Sequence, residues 1–449
     1  MSSPVAVILA GGANRRFWPL TQKSLLSFGG RTLLERRIDE LARAGVGDVV
    51  IVANPDNEAR MGAVAGSTRY IRVHVVVQPA PLGMGDALLR CAPLLEDELA
   101  DRPLLVNQVH DLVESELFGT VLTALERSDA DAFVVGVKLT GYFPGGYLSV
   151  DGDRALSVVE KPPPGSEPSD LMKIVTDLVR RSEDLLEALR RVEPNPADQY
   201  ERAWAELMAT RTVRVLGYGG PWVPIKYPWD VLSATELMLA QLTKDGTRPP
   251  GAGTFVHPTA TVSGPVLLGE RVRVFAGAAI VGPAIVGDDT IVGNGALIRG
   301  AIVGRGCTIG FTTELARSYL GDGCDLHSNY VGDSVLGDDV AFGSGTVTAN
   351  LRLAEDNVRV NVDGQRLDTG RRKVGVLVGS HVRVGINSSL MPGVRIGSKA
   401  AVGPGVVLRR DMPDGQMVTV RQELDVEPVP FDIDGATRQG FHTALRKQA

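Results

Sequence analysis

Residues 378–408 read VGSHVRVGINSSLMPGVRIGSKAAVGPGVVL, and an aliphatic side chain returns at every sixth position: Val378, Val384, Leu390, Ile396, Val402 and Leu408. The same beat runs upstream through Val256, Val262, Leu268, Val274, Ile280, Val286, Val292 and Ile298. Glycine often follows it, as at Leu268-Gly269, Val286-Gly287 and Val292-Gly293. A period of six matches neither the helical 3.6 nor a simple alternating strand. It fits a coil of three short strands per ~18 residues, each face turning one aliphatic inward and each corner favouring glycine. Two long unbroken phases are more than general Val-Gly richness produces. The C-terminal half is therefore expected to be a left-handed parallel β-helix of hexapeptide repeats. The beat slips near Val303 and again around Leu320 and Val331, and it is absent from 351 to 372. Insertions in a solenoid form loops on one face, often the binding face.

Working outward, residues 1–240 alternate β and α character. Apolar runs at 5–9, 49–53, 73–77, 104–107 and 133–137 predict strands, and helical apolar spacing covers 32–44. This is an α/β pattern with a parallel sheet, in which ligands lie beyond the carboxyl ends of the strands. The expected organisation is an α/β domain over 1–240, a linker over 241–254 containing Thr247-Arg248-Pro249-Pro250-Gly251, the β-helix over 255–420 and a tail over 421–449.

Composition narrows the function classes. A chain of 449 residues exceeds one ordinary core, and most of its 52 glycines follow residue 250. A net charge of −6 gives no footprint for nucleic acid or an anionic membrane. Cys91, Cys307 and Cys324 have no metal-like spacing and cannot all pair with one another, which suits a reducing compartment. With no basic leader and no apolar run of ~18 residues, a cytoplasmic, non-membrane protein is expected.

Candidate chemistry begins directly after the first strand. Gly11-Gly12 presents bare backbone amides where phosphates could dock. Arg16, Pro19-Leu20-Thr21, Lys23 and the turn at 29–34 follow. Together they resemble the signature loop of sugar-1-phosphate nucleotidylyltransferases, and further segments agree. Gln78 with Pro81-Leu82-Gly83-Met84-Gly85 is similar to that family's base-binding segment, and Asp111 stands in the place of its metal-binding Asp. Gly146-Tyr147 and Glu160-Lys161-Pro162 resemble the segments holding the sugar and its phosphate.

The resemblance implies a Rossmann-like α/β nucleotidyltransferase domain whose substrates are a nucleoside triphosphate and a sugar-1-phosphate. Arg16 and Lys23 would grip the triphosphate, Lys161 the sugar phosphate, and Asp111 a Mg²⁺ ion. Three departures stand out. The loop reads Ala13-Asn14-Arg15. Lys173 occupies the place of an Asn expected to bind sugar hydroxyls. Trp222-Val223-Pro224 carries proline where the family commonly has the second metal-ligating Asp, and Asp177 and Asp230 have no assigned place. Asp111 read alone also suits a helix N-cap before 112–122.

In the β-helix, His327-Ser328-Asn329-Tyr330 resembles the acetyltransferase centre of bifunctional N-acetylglucosamine-1-phosphate uridylyltransferases, especially the archaeal type. By that resemblance His327 is a general base, and Tyr330, Asn350 and Lys373 line a site for an amino sugar phosphate with acetyl-CoA as co-substrate. The family's phosphate-binding lysine aligns with Ala316, next to Arg317, and an Asn near the cofactor aligns with Ala341. His257, before Pro258, reads as structural. The resemblance also implies a homo-oligomer, a trimer, built through the β-helix. Two other readings remain: nucleotidyl transfer with the β-helix as assembly scaffold, and a non-catalytic nucleotide-sugar sensor.

Overall fold

The structure is a computed structural model that describes residues 2–12, 14–246, 248–430 and 435–448. Ala13 of the glycine loop, Thr247 of the linker and 431–434 of the tail lie outside the described residues.

The three strand series expected of the hexapeptide beat form three parallel sheets of nine, eight and seven short strands. Register advances one coil at a time: Val274 pairs with Val292 on one face, Ile280 with Ile298 on the next, and Leu268 with Val286 on the third. Every member of the downstream beat from Val378 to Leu408 is buried. Upstream, Val256 and Val262 are only half-buried because they belong to the first coil, which has a neighbour on one side.

The slips have a structural cause. Inward aliphatics continue through Ile298, Val303, Ile309, Leu315, Leu320, Leu326, Val331, Leu336 and Phe342, all buried. Four steps in this run are five residues long, so Ile302 pairs with Tyr319 seventeen residues on and Tyr319 with Val335 sixteen residues on. Three of the shortened corners are closed by a left-handed residue: Gly300 (φ 59°), Arg317 (φ 49°) and Asp333 (φ 48°). The fourth contains His327. A left-handed corner costs an L-residue about 1–2 kcal/mol, so Arg317 and Asp333 need compensating contacts.

The excursion at 351–372 folds as a hairpin, Arg359–Val362 against Gln365–Asp368. Val358 and Val360 pack beside Gly393, where an added Cβ would lie 2.7 Å from Val358 Cγ1. At the hairpin base, Arg371 donates to Ser233 Oγ at 2.9 Å and also to Glu236, both on the helix Asp230–Leu242.

The N-terminal sheet corrects the expectation of a parallel sheet. Arg72–Val77, Asp48–Ala53, Val5–Leu9 and Leu104–Asn107 run parallel in that spatial order. Beyond them Leu171–Val179 lies antiparallel, next to Ala132–Lys138, and the sheet continues mixed to Gly146–Asp151. Val5–Leu9 and Asp48–Ala53 are buried at every residue, as a sheet covered on both faces demands. Helix Leu33–Ala44 starts at Thr32, whose Oγ1 accepts from Glu35 N while Glu35 reaches back to Thr32 N. That capping box contributes about 1 kcal/mol.

The two halves share a core. Phe28 packs on Tyr319 with ring centroids 5.2 Å apart, and Tyr319 Oη accepts from Ser27 N at 3.2 Å. Ile285, Ile302 and Val335 of the same β-helix face join this cluster. Cys91, Cys307 and Cys324 are free and buried. Among the described residues no helix is long and apolar enough to cross a membrane.

Candidate active site

Strand order places the loops after Val5–Leu9, Asp48–Ala53, Arg72–Val77 and Leu104–Asn107 at one end of the sheet, the carboxyl ends of its parallel strands. Gly11 leaves the first strand so close to its neighbours that a Cβ would lie 3.1 Å from both Ala53 O and Gln78 Oε1. Two asparagines hold the loop by its carbonyls. Asn57 Nδ2 donates to Ala10 O at 3.0 Å and Asn54 Nδ2 to Gly11 O at 3.2 Å. Gly12 is left exposed, whereas Gly11 is buried.

Gln78 is buried, and its Nε2 donates to Gly83 O at 3.0 Å and to Asp86 Oδ2 at 2.8 Å. Its visible job is to shape the segment that follows. Gly83 has φ 91°, and a Cβ there would lie 2.5 Å from Pro196 O, so only glycine fits.

Asp111 is brought to the same end. It lies in the short strand Asp111–Leu112, and the helix behind it starts only at Glu116, so it is no helix cap. Arg37, buried beneath, fixes the loop by donating to Asn107 Oδ1, to Gln108 O at 3.2 Å and to Asp111 O at 3.0 Å. Burial raises the Asp111 carboxyl above the usual range, while Lys226, Arg37 and Lys23 pull it back down.

Around this carboxylate the chain gathers cations. Lys23 is pushed down to about 8 by burial and by Arg16, with Asp230, Asp111 and Lys226 also in its field. Lys226 is pushed down to about 8 by burial, against the pull of Asp111, with Arg16, Lys161 and Glu160 as further neighbours. Arg16 lies 5.9 Å from the Tyr227 ring centroid and Lys23 5.4 Å from that of Phe17. The structure thus brings Arg16, Lys23, Asp111, Glu160 and Lys161 into one electrostatic cluster, with Lys226 as a member the sequence reading missed. Asp230 is a brace: its Oδ2 accepts from Lys226 N and Tyr227 N, each at 2.7 Å.

Beside the cluster, Lys161 sits in the left-handed region (φ 46°), half-exposed and paired with Glu160 at 2.5 Å. Gly146 faces them, since a Cβ there would lie 3.4 Å from Glu160 Oε2. Glu201 lies behind and is pushed up to about 7 by burial and by Glu160. Lys173 requires a correction. Its side chain is 2% exposed, its ammonium is bound to Asp177, and Tyr200 Oη donates to that same carboxylate at 2.8 Å. It is a sealed internal ion pair, not a group open to a sugar.

The fit to a metal can be judged from the donor set. Pro224 pairs directly with Asp111 across the strand Val223–Pro224, so the partner position has no side-chain oxygen. Among the described residues no three His, Cys, Asp or Glu side chains converge as ligands. Two-carboxylate chelation of a divalent ion does not fit here.

In the β-helix, Tyr330 Oη accepts from Asn350 Nδ2 at 3.2 Å, and Asn350 also donates to Asp333. Arg317 holds the same Asp333, so it is committed within the protein and does not stand in for the phosphate-binding lysine missing at Ala316. His327 is exposed on its shortened corner, and among the described residues no hydrogen bond or ion pair holds its ring. Lys373 is exposed at the base of the inserted hairpin, bridged to Leu351. The ring of His257 shares a 2.9 Å hydrogen bond with Thr259, a turn contact.

A glycine loop and a group of cations gathered at the strand ends of an α/β sheet are the features of a nucleotide-type α/β domain suited to phosphate. The chain matches the MobA-like NTP transferase domain over residues 6–241 and belongs to that family. Residues 375–410 match the bacterial transferase hexapeptide (six repeats). The chain is 29% identical over 424 residues to a bifunctional sugar-1-phosphate nucleotidylyltransferase/acetyltransferase of Sulfurisphaera tokodaii, covering 92% of this chain and 100% of that one. It is 26% identical over 450 residues to the bifunctional protein GlmU of Methanococcus vannielii, covering 94% and 99%. A bifunctional protein GlmU of Synechococcus elongatus is 24% identical over 459 residues, covering 92% and 95%.

Proposed function

We propose that the N-terminal domain transfers a nucleotidyl group from an NTP to a sugar-1-phosphate, releasing pyrophosphate. The observation that carries this is the single cluster of Arg16, Lys23, Asp111 and Lys161 at the glycine-loop end of the sheet. A sugar-phosphate oxygen attacks the α-phosphorus in line, and pyrophosphate leaves from the opposite side. Both reactants are anions, so positioning and charge neutralisation are most of the catalysis. The Gly11-Gly12 amides with Arg16 and Lys23 take the triphosphate, and Lys161 takes the sugar phosphate. Glu160 and Gly146 border the sugar. Mg²⁺ enters in this reading with the nucleotide, as part of the substrate.

Acetyl transfer from acetyl-CoA to an amino sugar phosphate is the second activity, with His327 as base beside Tyr330 and Asn350. Its support is the free His327 ring on the corner next to the Tyr330–Asn350 pair, together with the bifunctional names of the relatives. With Arg317 bound to Asp333, Lys373 is left as the cation for the phosphate, and slow or altered-substrate transfer follows. Assembly as a trimer through the β-helix belongs to the same reading, and light scattering on the full chain checks it. A pyrophosphate-release screen over NTPs and sugar-1-phosphates tests the first activity. Silence across the whole panel would leave a nucleotide-sugar sensor.

A further inference from the structure

We propose that the Lys226 ammonium binds substrate phosphate in the nucleotidyl-transfer site, placing fixed positive charge where a second carboxylate would recruit a metal cation. The proposal rests on the nucleotidyl-transfer reading. Its starting point is the register of two short strands. Val223 pairs with Leu112 and Pro224 with Asp111, so the residue facing Asp111 has no side-chain donor. The chain continues extended, and Ile225 N donates to His110 O at 2.9 Å. Ile225 is fully buried in the core, so alternation turns Pro224 and Lys226 to the opposite side, away from that core.

Lys226 is held firmly in that direction. Asp230 fixes its backbone N–H, and its Nζ donates to Pro144 O at 2.7 Å. The ammonium stands 3.7 Å from the centroid of the Phe143 ring. An ammonium has three donors, so with Pro144 O taking one and the Phe143 ring face another, a donor remains for a ligand. The charges in its field are Asp111, Arg16, Lys161 and Glu160. Arg16 belongs to the triphosphate grip and Lys161 to the sugar-phosphate grip, so Lys226 lies in the field of both reacting anions.

The alternative use of this position is chelation. Asp111 is already in the field of Lys226, Arg37 and Lys23, so a dication seated there would meet cations that already neutralise the carboxylate. Phosphate oxygens meet the reverse: positive charge on preorganised, largely buried side chains, whose hydrogen bonds to ions are strong.

The test uses the full-length protein as Lys226→Met, Lys226→Arg and Pro224→Asp/Lys226→Met, each checked for native circular dichroism. Inorganic tripolyphosphate, which carries no base, probes binding by calorimetry. Mn²⁺ added without nucleotide probes chelation by electron paramagnetic resonance. Lys226→Met should bind tripolyphosphate at least ~10-fold more weakly and, where turnover is measurable, lose about 10²-fold. Lys226→Arg should recover most of both. The double variant should bind Mn²⁺ at least ~10-fold more tightly than wild type, because it restores a carboxylate pair and removes a cation. A folded Lys226→Met with wild-type affinity for tripolyphosphate would overturn the proposal. So would tight Mn²⁺ binding by the wild type. If wild type transfers nothing to any sugar phosphate while Lys226→Met still loses tripolyphosphate, the transfer reading falls and the assignment of Lys226 stands.

Discussion

Arg317 donates to both oxygens of Asp333, from Nε and from Nη2, each at 2.7 Å, and both residues occupy left-handed corners of successive coils. The shortened corners stack one above the other, and this brings the pair into register. Asp333 is 4% exposed and also receives Asn350, so it anchors the wall that carries Tyr330. Asp333→Asn removes the charge from a bidentate pair and should cost about 2 kcal/mol in urea unfolding. It should also loosen Tyr330. Acetyl-CoA thiol release with a panel of amino sugar phosphates should fall in this variant and be abolished in His327→Ala. Unchanged release in His327→Ala would remove His327 from the mechanism.

Tyr319 is the second test point, because it belongs to the β-helix yet packs on Phe28 of the other domain. Tyr319→Ala opens a cavity in the shared core and should cost about 3–5 kcal/mol. The loss should appear as a lower urea midpoint, together with separate transitions for the two halves. One coincident transition at the wild-type midpoint would mean that the contact holds nothing together.

Burial and Glu160 raise the Glu201 carboxyl to about 7, which couples stability to pH. The folded state binds this proton more tightly than the unfolded chain. The penalty is therefore absent below the ordinary Glu range, grows as pH rises, and is complete above about 7. At full size it is roughly 3 kcal/mol. Glu201→Gln should raise Tm at pH 8 and leave it nearly unchanged at pH 4. Equal effects at both pH values would contradict the assignment.

Lys23 and Lys226, both near 8, set the pH limit of the phosphate grip. Their useful form is the protonated one, so kcat/KM should fall as pH rises through about 8. Ordinary lysines would hold activity to ~10. The Lys23→Arg/Lys226→Arg double variant should move the fall to higher pH, since a guanidinium keeps its charge throughout.

Much of this was legible in the sequence, for identifiable reasons. A buried aliphatic every sixth residue leaves a mark that survives any surface change, so the β-helix could be read from Val378 to Leu408 alone. The slips at Val303, Leu320 and Val331 were visible, but not their cause, since a corner tolerates losing one residue when a left-handed residue closes it. The mixed half of the sheet was hidden because its strands, such as Arg154–Glu160, alternate irregularly and bulge. Gly11, Arg16, Lys23, Asp111, Glu160 and Lys161 stood out by motif, and the fold brings them together. Lys173 was misjudged because Asp177, four residues on, is its partner, and a single motif position does not reveal that. Lys226 belongs to no motif, and a lysine two residues past a missing carboxylate is its one signal in the sequence. Arg37, Asn54 and Asn57 act on backbone carbonyls and leave no motif.

The central claim is that the cluster around Asp111 performs nucleotidyl transfer. The most direct measurement is pyrophosphate release with chromatographic detection of the NDP-sugar, on wild type, Arg16→Ala and Lys23→Ala, with the best NTP and sugar-1-phosphate pair. The account predicts stoichiometric NDP-sugar and pyrophosphate from wild type, and at least ~10²-fold lower turnover in each folded variant. Wild-type turnover in either variant, or no product from wild type with any pair, would contradict it.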